Sequence, residues 1–120
     1  MQRDDATLLD ILRAARLASQ FVAGLTQDAF ERDLRTQSAV LHQLMVLGEA
    51  VKRLSEEFRT AHATVPWSLI AGMRDKLIHA YDEVDLVEVW RTLRQDLPEL
   101  LRQLEPLCPA NGASVDPRPD

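Results

Sequence analysis

The feature that most constrains this chain is the spacing of its apolar residues. They recur at three- and four-residue steps almost throughout, and no stretch shows the two-residue alternation of a half-buried strand. Leu8, Ile11, Leu12, Ala15, Ser19 and Val22 form one face of a first helix, which Asp4 or Asp5 can cap and which ends near Gly24. A short second helix follows in "LTQDAFERD", with Thr26 as its N-cap and Ala29 and Phe30 as buried anchors. The third runs from about Thr36 to about Arg59 and turns Leu41, Leu44, Gly48, Val51, Leu54 and Phe58 inward. "HATVPW" interrupts the pattern, and Pro66 suits the first turn of a fourth helix covering about Trp67 to His79. "YDEVD" breaks it again. Asp85 then caps a fifth helix through Val87, Trp90, Leu93, Leu97, Leu101 and Leu104, in which Pro98 predicts a bend.

This pattern predicts an all-α chain, an up-and-down bundle of four to five helices. A length of 120 residues suits one compact domain. The helical domain is expected over residues 1–106. The stretch 107–120, rich in proline and small residues and without periodicity, is expected to be a disordered tail. Leu44, Met45, Leu47, Ile70, Met73, Leu77 and Ile78 supply more apolar surface than one helix face accommodates. That excess predicts a homodimer through the third and fourth helices.

Several function classes are disfavoured. A net charge of −5 argues against a large non-specific nucleic-acid surface, although a local basic site remains open. Cys108 is the lone cysteine, so no internal disulfide and no cysteine-based zinc site is expected. Asp82, Glu83 and Asp85 read as loop and cap residues, His42 and His62 as surface or helix-end residues, and no metal or cofactor is predicted. No apolar run reaches the ~20 residues of a membrane span, and the first residues resemble no signal peptide, so a cytoplasmic location is expected.

One stretch carries candidate chemistry, "RDKLIHAY", Arg74 to Tyr81. On a helix, Asp75 and His79 are neighbours, so the carboxylate can orient the imidazole and favour its protonated form. Arg74 and His79 lie ~140° apart around the axis and do not converge on one ideal face. Three arrangements reconcile them: the helix ends near His79 and redirects it, the long arginine closes the gap, or two copies build a joint site across a dimer axis. Arginine binds phosphate in a planar, bidentate way, and histidine exchanges protons near neutral pH. Together they suffice for metal-free RNA cleavage, in which the 2′-hydroxyl attacks the adjacent phosphorus. His79 would act as base, a second group as acid, and Arg74 would stabilise the transition state. Arg53 and Lys76 are further candidate phosphate contacts. Glu49 and Arg53, four apart, are expected to pair, and Gly48 to allow close helix approach.

At these residues the chain resembles the HepT-like toxins of the HEPN superfamily. "RDKLIHAY" looks like the family's Arg-x4-His-x-Tyr motif, matched by Arg74, His79 and Tyr81. "LMVLGEAVKRLSEEFR", "VPWSLIAGMRD" and "AFERDLRTQSAVLHQL" resemble its flanking helices, so the likeness covers about residues 5 to 105. The resemblance implies a helical dimer with facing motifs and metal-independent ribonuclease toxicity. It also implies a minimal nucleotidyltransferase antitoxin, the MNT partner, which transfers AMP to the motif tyrosine. Arg74 and His79 would then be the catalytic pair and Tyr81 the modified residue. The alternative class is a non-catalytic helical module that binds nucleotide or docks a nucleotidyltransferase without cutting RNA.

Overall fold

The computed structural model describes residues 3–77 and 83–108. Within them the chain is all-α, as the periodicity predicts. Helix α1 spans Arg3–Phe21, α2 Gln27–Glu31, α3 Leu34–Lys52, α4 Glu56–Ala61, α5 Trp67–Ala71 and α6 Met73–Leu77. After the next connection come α7, Leu86–Arg91, a π-helical turn over Thr92–Asp96, α8, Leu97–Leu104, and a closing 3-10 turn, Glu105–Leu107.

Helices α1 and α3 form the most extensive contact, and α8 packs on α1. The α1 stripe is Leu8, Ile11, Leu12, Ala15, Ala18 and Val22, all buried; Ser19, expected on it, is only half buried. From α3 come Val40, Leu44, Leu47 and Val51, and from the last helices Val89, Leu93, Leu97, Leu100 and Leu104. Phe30 of α2 closes one end, fully buried, with its ring 5.4 Å from that of Trp90. Gln37 is also buried, and its Nε2 donates to the Phe30 carbonyl at 3.0 Å, which satisfies the amide.

The expected caps form at two starts. Thr26 accepts from the Ala29 N–H, and Asp85 accepts from the Glu88 N–H. Gly24 adopts φ 82, the left-handed region that lets the chain reverse after α1.

Three expectations are corrected. The third helix does not run to Arg59. It starts at Leu34 under an Asp33 cap and stops at Lys52, and Ser55 begins a separate helix by accepting the Phe58 N–H. Asp4 does not cap α1, because it lies within it. Its carboxylate accepts the Ser55 N–H at 2.9 Å and the Ser55 hydroxyl at 2.6 Å, so it pins the start of α4 to the start of α1. The apolar excess is also smaller than expected. Leu44, Leu47, Ile70, Met73 and Leu77 are all buried within one chain, while Met45 is 38% exposed. Ile78 lies outside the described residues.

At Pro98 the helix continues. Pro98 sits in the first turn of α8, just after a π turn in which the Leu97 N–H bonds to the Thr92 carbonyl, five residues back. Leu107 and Cys108 pack against the core, and the tail from 109 onward lies outside the described residues. No helix among the described residues is long and apolar enough to cross a membrane.

Candidate active site

The motif helix is positioned from both of its ends. Upstream, the Trp67 indole N–H donates to two carbonyls, Arg59 at 3.2 Å and His62 at 3.0 Å, which locks the start of α5 onto the end of α4. Phe58 packs against both rings, with centroids 4.6 Å from His62 and 6.0 Å from Trp67. Gly48 brings α3 against α5: a Cβ there would lie 3.1 Å from the Ile70 carbonyl oxygen. The close helix approach expected of Gly48 is therefore present. The predicted fourth helix is divided at Gly72, whose N–H closes α5 on Ser68 and whose carbonyl accepts from Asp75 at 3.1 Å to open α6.

Arg74 enters through its backbone, in α6 between the buried Met73 and Leu77. Asp75 is exposed. His79 and Tyr81 lie outside the described residues, and with them the expected Asp75–His79 pair. Both ends of the segment that carries them are fixed together, since the Asp85 N–H donates to the Leu77 carbonyl at 2.9 Å. Asp85 then starts α7.

Lys76, a candidate phosphate contact, is engaged within the fold. Its Nζ is 3.1 Å from Glu88 and 3.7 Å from Asp96. Arg91 bonds the same two carboxylates, 3.1 Å from Asp96 in the second case. Two cations and two anions thus form a neutral cluster that joins α6 to α7 and the π turn. The Arg91 hydrogen bond holds the Glu88 carboxyl well below its ordinary range, at about 2; burial opposes it, and the hydrogen bond and charge of Lys76 add to the lowering. Glu88 and Asp96 in turn push the Arg91 guanidinium up. Nothing but the Glu88–Arg91 spacing hinted at this cluster, because the Lys76 contacts join separate helices. Beside it, Leu69, Met73, Lys76, Leu97 and Leu100 line a groove of about 260 Å³ along the motif helix.

Arg53, the other candidate phosphate contact, caps the end of α3. It does not pair with Glu49 as expected. Glu49 takes Lys52 at 3.2 Å, and Arg53 faces Asp10 at 3.7 Å, with both of those side chains at least half exposed. His42 is exposed on α3 and His62 ends α4, as read from the sequence. No group of three or more histidines, cysteines or carboxylates is placed to hold a metal ion among the described residues.

The described residues form an all-α domain in which the short helix carrying Arg74 is braced on both sides. The chain belongs to the HepT-like ribonuclease family, whose model, "Ribonuclease HepT-like", matches residues 11–107. It is similar to "Probable ribonuclease HepT" of Thermococcus cleftensis, at 40% identity over 83% of this chain and 91% of that one. It is 41% identical to "Putative RNase TTE0752" of Caldanaerobacter subterraneus, over 79% of this chain and 85% of the relative. "Putative RNase MJ0127" of Methanocaldococcus jannaschii shares 38% identity over 83% of each chain. No solved structure gives a significant match.

Proposed function

We propose that this protein is a metal-independent endoribonuclease, the toxin of a toxin–antitoxin pair, acting in the cytoplasm as a homodimer with facing motifs. The observation that carries the reading is the family match, which spans Arg74, His79 and Tyr81. His79 takes the proton of an RNA 2′-hydroxyl, whose oxygen attacks the adjacent phosphorus. The P–O5′ bond breaks, and the second copy's His79 returns a proton to the leaving oxygen. The products are a 2′,3′-cyclic phosphate and a free 5′-hydroxyl. Arg74 stabilises the charge on the non-bridging oxygens, and Asp75 orients His79. The brace around α6 supports this assignment, since an arginine that binds a transition state needs a fixed base.

Exposed apolar residues on α3 and α5, Met45, Val46 and Leu69, support the dimer. A nucleotidyltransferase antitoxin silences the toxin by moving AMP from ATP to the Tyr81 phenol, with loss of pyrophosphate. The added bulk and phosphate charge block the RNA path and occupy Arg74.

The test is RNA cleavage by purified protein in excess EDTA, with Arg74→Ala and His79→Ala beside wild type. Both variants should lose at least about a hundredfold in rate. Undiminished cleavage by both would remove these residues from the mechanism. Mass spectrometry after incubation with the partner and ATP should place the added AMP on Tyr81. Harmless expression with tight partner binding would instead assign the docking role.

A further inference from the structure

Outside the motif, the most informative side chain is Arg59. The half-buried cations Arg16 and Arg91 each have carboxylate partners, Glu105 for the first and Glu88 and Asp96 for the second. Arg59 is likewise half buried, yet among the described residues no ion pair is found for it. Its Nε is enclosed and has no hydrogen-bond acceptor. That N–H is costly to leave without an acceptor but is shut off from solvent, so only the remainder of the half-buried guanidinium can meet a ligand.

The surroundings indicate the use. Arg59 lines an open recess of about 590 Å³ between α4 and α5, together with the hydroxyl-bearing Thr60 and Ser68. The recess is held in shape, because the Arg59 carbonyl itself accepts from the Trp67 indole. Its chemistry is a planar cation beside two hydroxyl donors, which suits a tetrahedral oxyanion. Ser68 lies in α5 and precedes Arg74 of α6 by six residues, so the recess lies on the helix immediately upstream of the motif.

We propose that this recess is an RNA subsite, in which Arg59 binds a backbone phosphate beyond the scissile one. The proposal rests on the RNA-cleavage reading above. Glu56 lines the same recess and forms no ion pair with Arg59. Its carboxylate repels the phosphate and keeps the subsite weak, which limits binding of RNA that does not also engage the motif.

The experiment measures binding of a 2′-O-methylated RNA oligonucleotide, which lacks the attacking hydroxyl, by anisotropy across a salt series. Affinity is then read independently of cleavage. Arg59→Gln should bind about tenfold more weakly. It should also lose about 0.7 from the slope of log affinity against log salt, the value of one phosphate contact on a single strand. Arg59→Lys should recover part of the affinity, and Glu56→Gln should bind about threefold more tightly. The melting temperature of Arg59→Gln should not fall, because the lost N–H had no acceptor; a fall would indicate a structural role and overturn the proposal.

Wild-type affinity and salt slope in Arg59→Gln would also overturn it, while wild-type cleavage would leave the proposed function standing. A wild type that neither binds nor cleaves RNA would overturn both. In a parallel arm, inorganic phosphate is titrated against the RNA complex. Phosphate that binds wild type through Arg59 without displacing RNA would assign the recess to a free anion and refute the RNA subsite.

Discussion

Removing the Ser55 hydroxyl tests the junction between α1, α3 and α4. That hydroxyl accepts the Phe58 N–H at 3.0 Å and donates to the Asp4 carboxylate at 2.6 Å. Ser55→Ala deletes an N-cap, about 1 kcal/mol, and a charge-assisted hydrogen bond. The second bond is partly open to water, which reduces it to about another 1 kcal/mol. The expected loss at pH 7 is therefore about 2 kcal/mol, read as a fall of about 1 M in the urea midpoint. Asp4→Asn should cost about 1 kcal/mol, and the double variant should show a coupling of similar size. The pH dependence follows from Asp4. The Ser55 hydroxyl, then the Ser55 N–H, lower its carboxyl below the ordinary 3.8 in the folded protein. A depressed carboxyl contributes stability that is complete above 3.8 and disappears as pH falls through the folded value. The Ser55→Ala penalty should accordingly shrink toward the cap alone, about 1 kcal/mol, as pH falls below the lowered Asp4 value. A penalty that is unchanged across this range, or a coupling near zero, would refute the reasoning.

Two further perturbations address the brace around the motif helix. Gly48→Ala gains about 1 kcal/mol of helix propensity but sets its Cβ 3.1 Å from the Ile70 carbonyl, a backbone atom with little room to move. Overpacking of about 1–3 kcal/mol should prevail, so both the urea midpoint and RNA cleavage should fall; a more stable variant would show that α5 gives way. Glu88→Gln leaves Lys76 and Arg91 with Asp96 alone and should destabilise the fold by about 1–2 kcal/mol at pH 7. Because the Glu88 carboxyl is lowered from 4.5 to about 2, its contribution is complete above 4.5 and is lost as pH falls toward 2. Urea midpoints of wild type and variant should therefore converge in acid, and a constant gap would count against the cluster.

Much of the architecture was legible because local rules decide it. The α1 stripe needs only helical periodicity, and Thr26 and Asp85 cap their helices through bonds three residues long. The break between α3 and α4 was not legible, because Ser55 is held by Asp4, which is 51 residues away. The expected Glu49–Arg53 pair failed for a related reason: Lys52 is a nearer partner, and Asp10 comes from another helix. Periodicity also cannot report how many helices surround a given face. Leu47, Ile70 and Met73 therefore looked like surplus for a second chain and are instead buried within the first. In the candidate site, the helical setting of Arg74 was readable, but the carboxylates that engage Lys76 were not.

The π turn has a consequence for how this chain is compared with its relatives. Val89, Leu93 and Leu97 are buried at successive four-residue steps, a spacing that drifts ~40° per step on a regular α-helix. The widened turn resets the phase, so that Leu100 and Leu104 of α8 still meet the core. A single-residue deletion within Thr92–Asp96 would turn the five-residue-back bonding into an ordinary α turn and leave α8 in its present phase. A related chain that is one residue shorter there can carry its downstream leucines in the same frame. Alignments through this stretch should place their gap inside the turn.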